Sequence, residues 1–159
     1  MIGKCMSEAL LERLDRLESR VDIEALASNY CHGFDKRDEA LFMSIWSDDC
    51  IWNIGPPFGS FEGSAGVHHA LIDILWPAWG ISQHVTSNLV VNFIDNDHAT
   101  SRCDVDCTGT LADSSEATFV GATYSDVLER RDGAWKIKQR DVVIHYFNSF
   151  SGTNLSAPS

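Results

Sequence analysis

The sequence predicts an α+β fold in which N-terminal helices cover one face of a curved antiparallel sheet, giving a cone-shaped domain with an enclosed pocket. Two observations carry this prediction. Apolar residues recur at helical spacing through the first half of the chain, and the second half changes to period-two alternation broken by turn signals. Helices, a strand, another helix and then a meander form the order of an α+β domain.

The elements follow in order. Residues 7–19 predict a helix with Leu10, Leu11, Leu14 and Leu17 at helical spacing. Residues 21–33 predict a second helix carrying Ile23, Leu26, Ala27, Tyr30 and Cys31 on one side, and residues 38–47 a short third one. A strand at 50–54 is stopped by Gly55-Pro56-Pro57. Residues 63–79 predict a helix with Val67, Ala70, Leu71, Ile74 and Leu75 as its apolar stripe. Strands are expected at 82–94, 98–110, 116–130 and 134–148, with hairpin turns at Asp95-Asn96-Asp97 and Arg131-Asp132-Gly133 and a looser turn at 112–115. Residues 1–150 form one domain, and 151–159 a polar C-terminal tail.

Bulk properties narrow the function. A chain of 159 residues makes one domain and buries roughly 70% of its unfolded surface. A net charge of -11, from 12 Lys+Arg against 23 Asp+Glu, leaves little room for the basic face that nucleic acid or an anionic membrane requires. The five cysteines are odd in number and lack a CxxC pair, so they read as reduced thiols of a cytoplasmic protein. Lys4, Glu8, Glu12 and Arg13 interrupt any N-terminal signal core, and no apolar run reaches the roughly 18 residues of a membrane span. His68 and His69 are adjacent on a helix and cannot face one metal together, so neither a metal nor another cofactor is expected.

Three polar residues stand out. Taken alone, Asp35 reads as a helix-end carboxylate and His84 as a structural strand histidine. Arg140 shares strand parity with Val142 and Ile144, and an arginine on an apolar face needs an anionic partner or ligand to offset its desolvation. A carboxylate that accepts a hydrogen bond from one ring nitrogen of a histidine fixes the tautomer and leaves the other nitrogen as a base. An arginine or a tyrosine nearby can assist a departing group.

These residues sit in a longer pattern: Asp35-Lys36-Arg37, Ser44-Ile45-Trp46 with Asp48-Asp49 and Trp52, Leu75-Trp76-Pro77, His84 with Asn88-Leu89, Glu129 to Gly133 with Trp135-Lys136, and Tyr146-Phe147. In that order and spacing, over roughly residues 10–150, the chain resembles the SnoaL-like branch of the nuclear-transport-factor-2-like (cystatin-like) superfamily. The resemblance implies a catalytic Asp35–His84 dyad, a pocket arginine at Arg140, and a lining that includes Trp52, Trp79, Val105, Cys107, Tyr124, Val142 and Ile144. It also implies a homotrimer packed through the outer face of the sheet. Where the family's dehydrochlorinases carry a lysine five residues before the aspartate, this chain has Tyr30, as a bile-acid dehydratase of the family does. A phenol suits a leaving hydroxyl or a carbonyl oxygen, whereas an ammonium suits chloride. Asp106 has the wrong strand parity to join the site.

The expected function is therefore a cofactor-free lyase acting on a hydrophobic aromatic, polyketide or steroid-like molecule, by loss of hydroxide, halide or a carbon fragment. Two other readings remain open: a non-catalytic β subunit of a ring-hydroxylating dioxygenase, and an isomerase or cyclase on the same scaffold.

Overall fold

The computed structural model describes residues 2–156, with side chains from Ser7 onward, so the side chain of Cys5 and the last residues of the expected tail lie outside the described part. The chain runs α1 (Ile2–Asp35), α2 (Glu39–Ser44), β1 (Trp46–Gly55), β2 (Gly59–Glu62), α3 (Gly63–His69), a widened π-type segment (Ala70–Leu75), α4 (Trp76–Ala78), β3 (Trp79–Phe93), β4 (His98–Leu111), β5 (Ala117–Arg131) and β6 (Ala134–Phe150). The two N-terminal helices expected from the sequence are one helix of 34 residues, because nothing between Ser19 and Asp22 breaks helical backbone. Its first half is exposed: Leu10, Leu11, Leu14 and Leu17 face solvent rather than the core. The third helix ends at Ser44, before the predicted 47, and β1 begins at Trp46. The helix expected over 63–79 opens into the π-type segment at Ala70, and Trp79 already belongs to β3.

One six-stranded sheet has the order β2-β1-β6-β5-β4-β3. The β3–β6 meander is antiparallel throughout, as the turn signals predict. The sheet as a whole is mixed, because β1 joins β6 in parallel, and β2, a strand the sequence reading missed, pairs with β1 at the edge. β1 and β6 are brought together by the whole intervening chain, which is what a parallel pair requires.

The C-terminal half of α1 packs Ile23, Leu26, Tyr30, Cys31 and Phe34 onto the concave face of the sheet. Gly33 permits the close turn into α2, since a β-carbon there would lie 2.7 Å from the Phe42 backbone nitrogen. Asp38 caps α2 by accepting the Leu41 N–H at 2.9 Å. The end of α1 is tied twice to the junction of α4 and β3. Arg37 Nη2 donates to the Trp79 carbonyl at 2.7 Å, and Trp76 Nε1 donates to the Phe34 carbonyl at 3.0 Å. On the convex face the Tyr146 ring lies across Gly121, where a β-carbon would come within 2.2 Å of it, and its hydroxyl donates to Asp106. Cys31, Cys50, Cys103 and Cys107 are free and buried. Among the described residues no helix is long and apolar enough to cross a membrane.

Candidate active site

Strand register builds the pocket wall. His84, Cys107, Val120 and Phe147 are direct partners across β3, β4, β5 and β6 and so form one row on the concave face. Val105, Ala122 and Ile144 form the next row. α1 closes the space with Tyr30 and Phe34, and β1 with Trp52 and Ile54. The result is a largely apolar pocket between α1, β1 and the sheet, the kind of place where a small molecule buries its surface. Trp52, Trp79, Val105, Cys107, Tyr124, Val142 and Ile144, all expected at the pocket, line it together with His84 and Tyr30.

Asp35, the last residue of α1, stands at a helix C-terminus, where a negative charge is electrostatically unfavourable. β3 compensates with three donors. His84 Nδ1 lies 2.7 Å from Asp35 Oδ1, the His84 backbone N–H donates to Oδ2 at 2.6 Å, and Ser82 Oγ donates to Oδ1 at 2.8 Å. Burial pushes the Asp35 carboxyl up, but the hydrogen bonds it accepts from the His84 ring, the His84 amide and the Ser82 hydroxyl hold it below its ordinary value. An ionised carboxylate only accepts, so Nδ1 carries the proton and a neutral imidazole keeps its lone pair on Nε2. The ring is fixed edge-on to Phe34 and Tyr30, with centroids 5.0 and 6.0 Å away. Behind the dyad, a separate polar groove lined by Ser28, Cys31, His32, Lys36, Gln83 and Thr86 also reaches Asp35 and His84.

Arg140 has the anionic partner its apolar strand face demands, and that partner is a residue of the chain. Its Nε and Nη2 donate to Asp126 Oδ1 and Oδ2, each at 2.8 Å, and Ser101 Oγ adds a third contact to Oδ2 at 3.2 Å. Burial acts to lower the guanidinium's pKa, and the Asp126 charge reverses that, so Arg140 remains a cation. It does not line the cavity; it lies between the Tyr30 and Tyr124 rings, 4.5 and 4.4 Å from their centroids. The Tyr124 hydroxyl is 3.4 Å from the Tyr30 hydroxyl. Burial pushes both phenols above their usual value despite the nearby guanidinium, so both stay protonated.

Sequence reading missed several lining residues: Phe34, Ile54, Phe58, Leu75, Val120 and Ala122. It also missed Ser82 and Asp126. Ser82 lay two positions before His84 on the same strand, and Asp126 two after Tyr124, so period-two parity could have found both. Among the described residues, no three His, Cys, Asp or Glu side chains converge as a metal-holding group.

Sequence comparison identifies the class of protein to which this fold belongs. Residues 15–141 match the SnoaL-like domain, and the chain belongs to that family. It is 34% identical over 145 residues to hexachlorocyclohexane dehydrochlorinase 1 of Sphingobium indicum, covering 91% of this chain and 94% of that enzyme. A crystal structure of a type 2 hexachlorocyclohexane dehydrochlorinase superposes with a TM-score of 0.87 at 34% identity, over 92% of this chain and 98% of that one. A scytalone-dehydratase-like protein from Novosphingobium aromaticivorans shares the fold, with a TM-score of 0.78 at 20% identity over 88% of this chain and 93% of that one. These dehydrochlorinases are lyases, and the likeness spans almost the whole of this chain.

Proposed function

We propose that this protein is a lyase in which His84 Nε2 removes a proton from a carbon of a hydrophobic small molecule and a group on the neighbouring carbon departs. The observation that carries this reading is the 2.7 Å contact between Asp35 and His84 at the edge of a largely apolar cavity. Asp35 orients the imidazole and offsets the charge it gains. The electrons of the broken C–H bond form the new double bond, and the leaving group takes the pair of its own bond. The relatives are named for dehydrochlorination of hexachlorocyclohexane, and the apolar lining here supports a hydrophobic ring as substrate.

Tyr30 favours loss of hydroxide over loss of halide. A phenol held neutral by burial can give its proton to a leaving hydroxyl, which departs as water. The imidazolium proton, returned through solvent, restores the phenol. Arg140, stacked on Tyr30 and Tyr124, would steady the negative charge that develops on that phenol. Aromatic, polyketide or steroid-like hydroxylated rings are the substrates this arrangement suits, with C–halogen or C–C cleavage as alternatives. The same arrangement weighs against a non-catalytic dioxygenase β subunit, since an oriented base in an open cavity serves no purpose there. A homotrimer fits the exposed apolar residues of the outer sheet face, among them Val85, Val90 and Val143. Buried free thiols fit a cytoplasmic location.

The test is elimination from two substrate types, chloride release from hexachlorocyclohexane and water loss from a ring carrying a hydroxyl β to a carbonyl. The wild-type protein should turn over at least one, and His84→Gln neither. Turnover that survives His84→Gln would remove the base assignment, and an Asp35→Asn variant more damaged than His84→Gln would favour an isomerase with a carboxylate base.

A further inference from the structure

The exposed apolar residues of α1 are not scattered. Four of the five large ones, Leu10, Leu14, Leu17 and Val21, follow a 4-3-4 spacing and are 63%, 48%, 62% and 64% exposed, and the fifth, Leu11, flanks that stripe. On the opposite side of the same helix, Ser19 and Ile23 are buried, Asp15 pairs with Arg130 at 2.8 Å, and Arg16 lies over Phe93. At about 100° per residue, all four apolar residues fall within about 40° of the direction pointing away from Ser19 and hence from the body of the protein. The 4-3-4 spacing is that of the a and d positions of a two-stranded coiled coil.

We infer that this stripe is the contact surface for a second copy of the chain, with the two α1 helices parallel. Flanking charge decides both the partner and the direction. With Leu14 and Val21 at a and Leu10 and Leu17 at d, Arg13 takes a g position and Glu18 the following e position. In a parallel pair Arg13 of each copy faces Glu18 of the other, which gives opposite charges twice by symmetry. In an antiparallel pair g faces g, and Arg13 would meet Arg20. A membrane surface fits poorly, because interfacial helices carry Lys and Arg on the polar face, whereas Glu8, Glu12, Glu18 and Asp22 crowd this one. Since the stripe points away from the sheet, two bodies lie on opposite sides of the paired helices without collision. The seam spans Leu10 to Val21 only, short against the roughly 1,200 Å² that a stable interface buries, so the pairing is concentration-dependent. It is separate from the outer sheet face and independent of the lyase reading.

Sedimentation velocity on the full chain tests this. The Leu14→Glu/Leu17→Glu variant should sediment at half the wild-type mass with unchanged far-UV circular dichroism. Arg13→Glu should weaken the association, and Arg13→Glu/Glu18→Arg should restore it. In a Cys5→Ser background, Leu17→Cys should oxidise to a linked pair, whereas a mixture of Leu10→Cys and Val21→Cys chains should not cross-link with each other. Equal masses for the wild-type and glutamate variants, or an Arg13→Glu variant that associates as before, would overturn the interface. Cross-linking only between Leu10→Cys and Val21→Cys would overturn the parallel arrangement.

Discussion

Asp35 holds His84 at two points: one carboxylate oxygen meets the ring at 2.7 Å, and the other accepts the backbone N–H of the same residue at 2.6 Å. The carboxylate thereby fixes the strand and the side chain together, so ring orientation is set by backbone as well as by rotamer. Asp35→Asn replaces one acceptor oxygen with a donor amide, which must then face either the backbone N–H or the ring. The expected result is a loss of turnover of about 10²- to 10⁴-fold, the usual share of a positioned acid/base. His84→Gln should lose at least as much. Steady-state kinetics on both variants, with circular dichroism as the control for folding, make the comparison.

Acid should weaken the fold through the same carboxylate. The donors around Asp35 hold its pKa below the ordinary carboxylate value despite burial. A group with a depressed folded pKa contributes stability above its unfolded pKa, near about 3.9, and that contribution is lost as pH falls through the lower folded value. Urea unfolding should therefore show wild-type more stable than Asp35→Asn at pH 7, with the gap narrowing below about pH 4. A gap that stays constant with pH would contradict the assignment.

Tyr30 should matter for one leaving group and not another. Tyr30→Phe removes the proton donor and keeps the ring that stacks on Arg140. Water loss should slow by about 10²-fold or more, while chloride release changes little. Because burial raises the Tyr30 and Tyr124 phenols, water loss in the wild-type protein should continue past pH 10 without a phenol-dependent decline. A pH–rate profile for each variant reads both effects.

Asp126→Asn should destabilise without touching the pocket. It leaves the Arg140 cation buried beside a neutral amide, and breaking a buried pair from one side costs about 3–5 kcal/mol. A denaturant midpoint well below wild-type is expected, with a larger effect than Glu24→Gln at the exposed Arg20–Glu24 pair.

Gly33→Ala should damage both stability and turnover. The added β-carbon would press on the Phe42 backbone at 2.7 Å, and overpacking of this kind costs about 1–3 kcal/mol. The displacement falls on the last turn of α1, which carries Asp35. Thermal unfolding and kinetics on the variant measure the two effects.

Much of this was legible in the chain. Period-two runs located the meander, and the motif pattern pointed to Asp35 and His84 before any geometry existed. What stayed hidden depends on register, which local sequence does not encode. A bulge in β6 between Ile144 and Tyr146 reverses parity, so Phe147 rather than Tyr146 reaches the cavity. A second irregularity, between Trp79 and Ser82 in β3, puts Trp79 and His84 on one wall although they are an odd number of residues apart. The parallel β1–β6 pair was unreadable because its partners, such as Trp52 and Arg140, lie more than half the chain apart. The Leu10–Leu17 spacing signalled a helix correctly, but helical spacing alone does not say which side of a helix meets its own core.

That distant pairing governs the order in which the molecule can assemble. β4, β5 and β6 can each pair with the strand before them as they emerge from synthesis, whereas the β1–β2 hairpin must wait for β6 to join the sheet. Trp52, directly opposite Arg140 in that pairing, is made early and seated last. Closure of so long a loop is slow, and the aromatic side chains of β1 stay uncovered until it happens. The late step in folding is thus the one that shuts the substrate chamber, and a chain cut before β6 would expose Trp46 and Trp52 to whatever lies nearby.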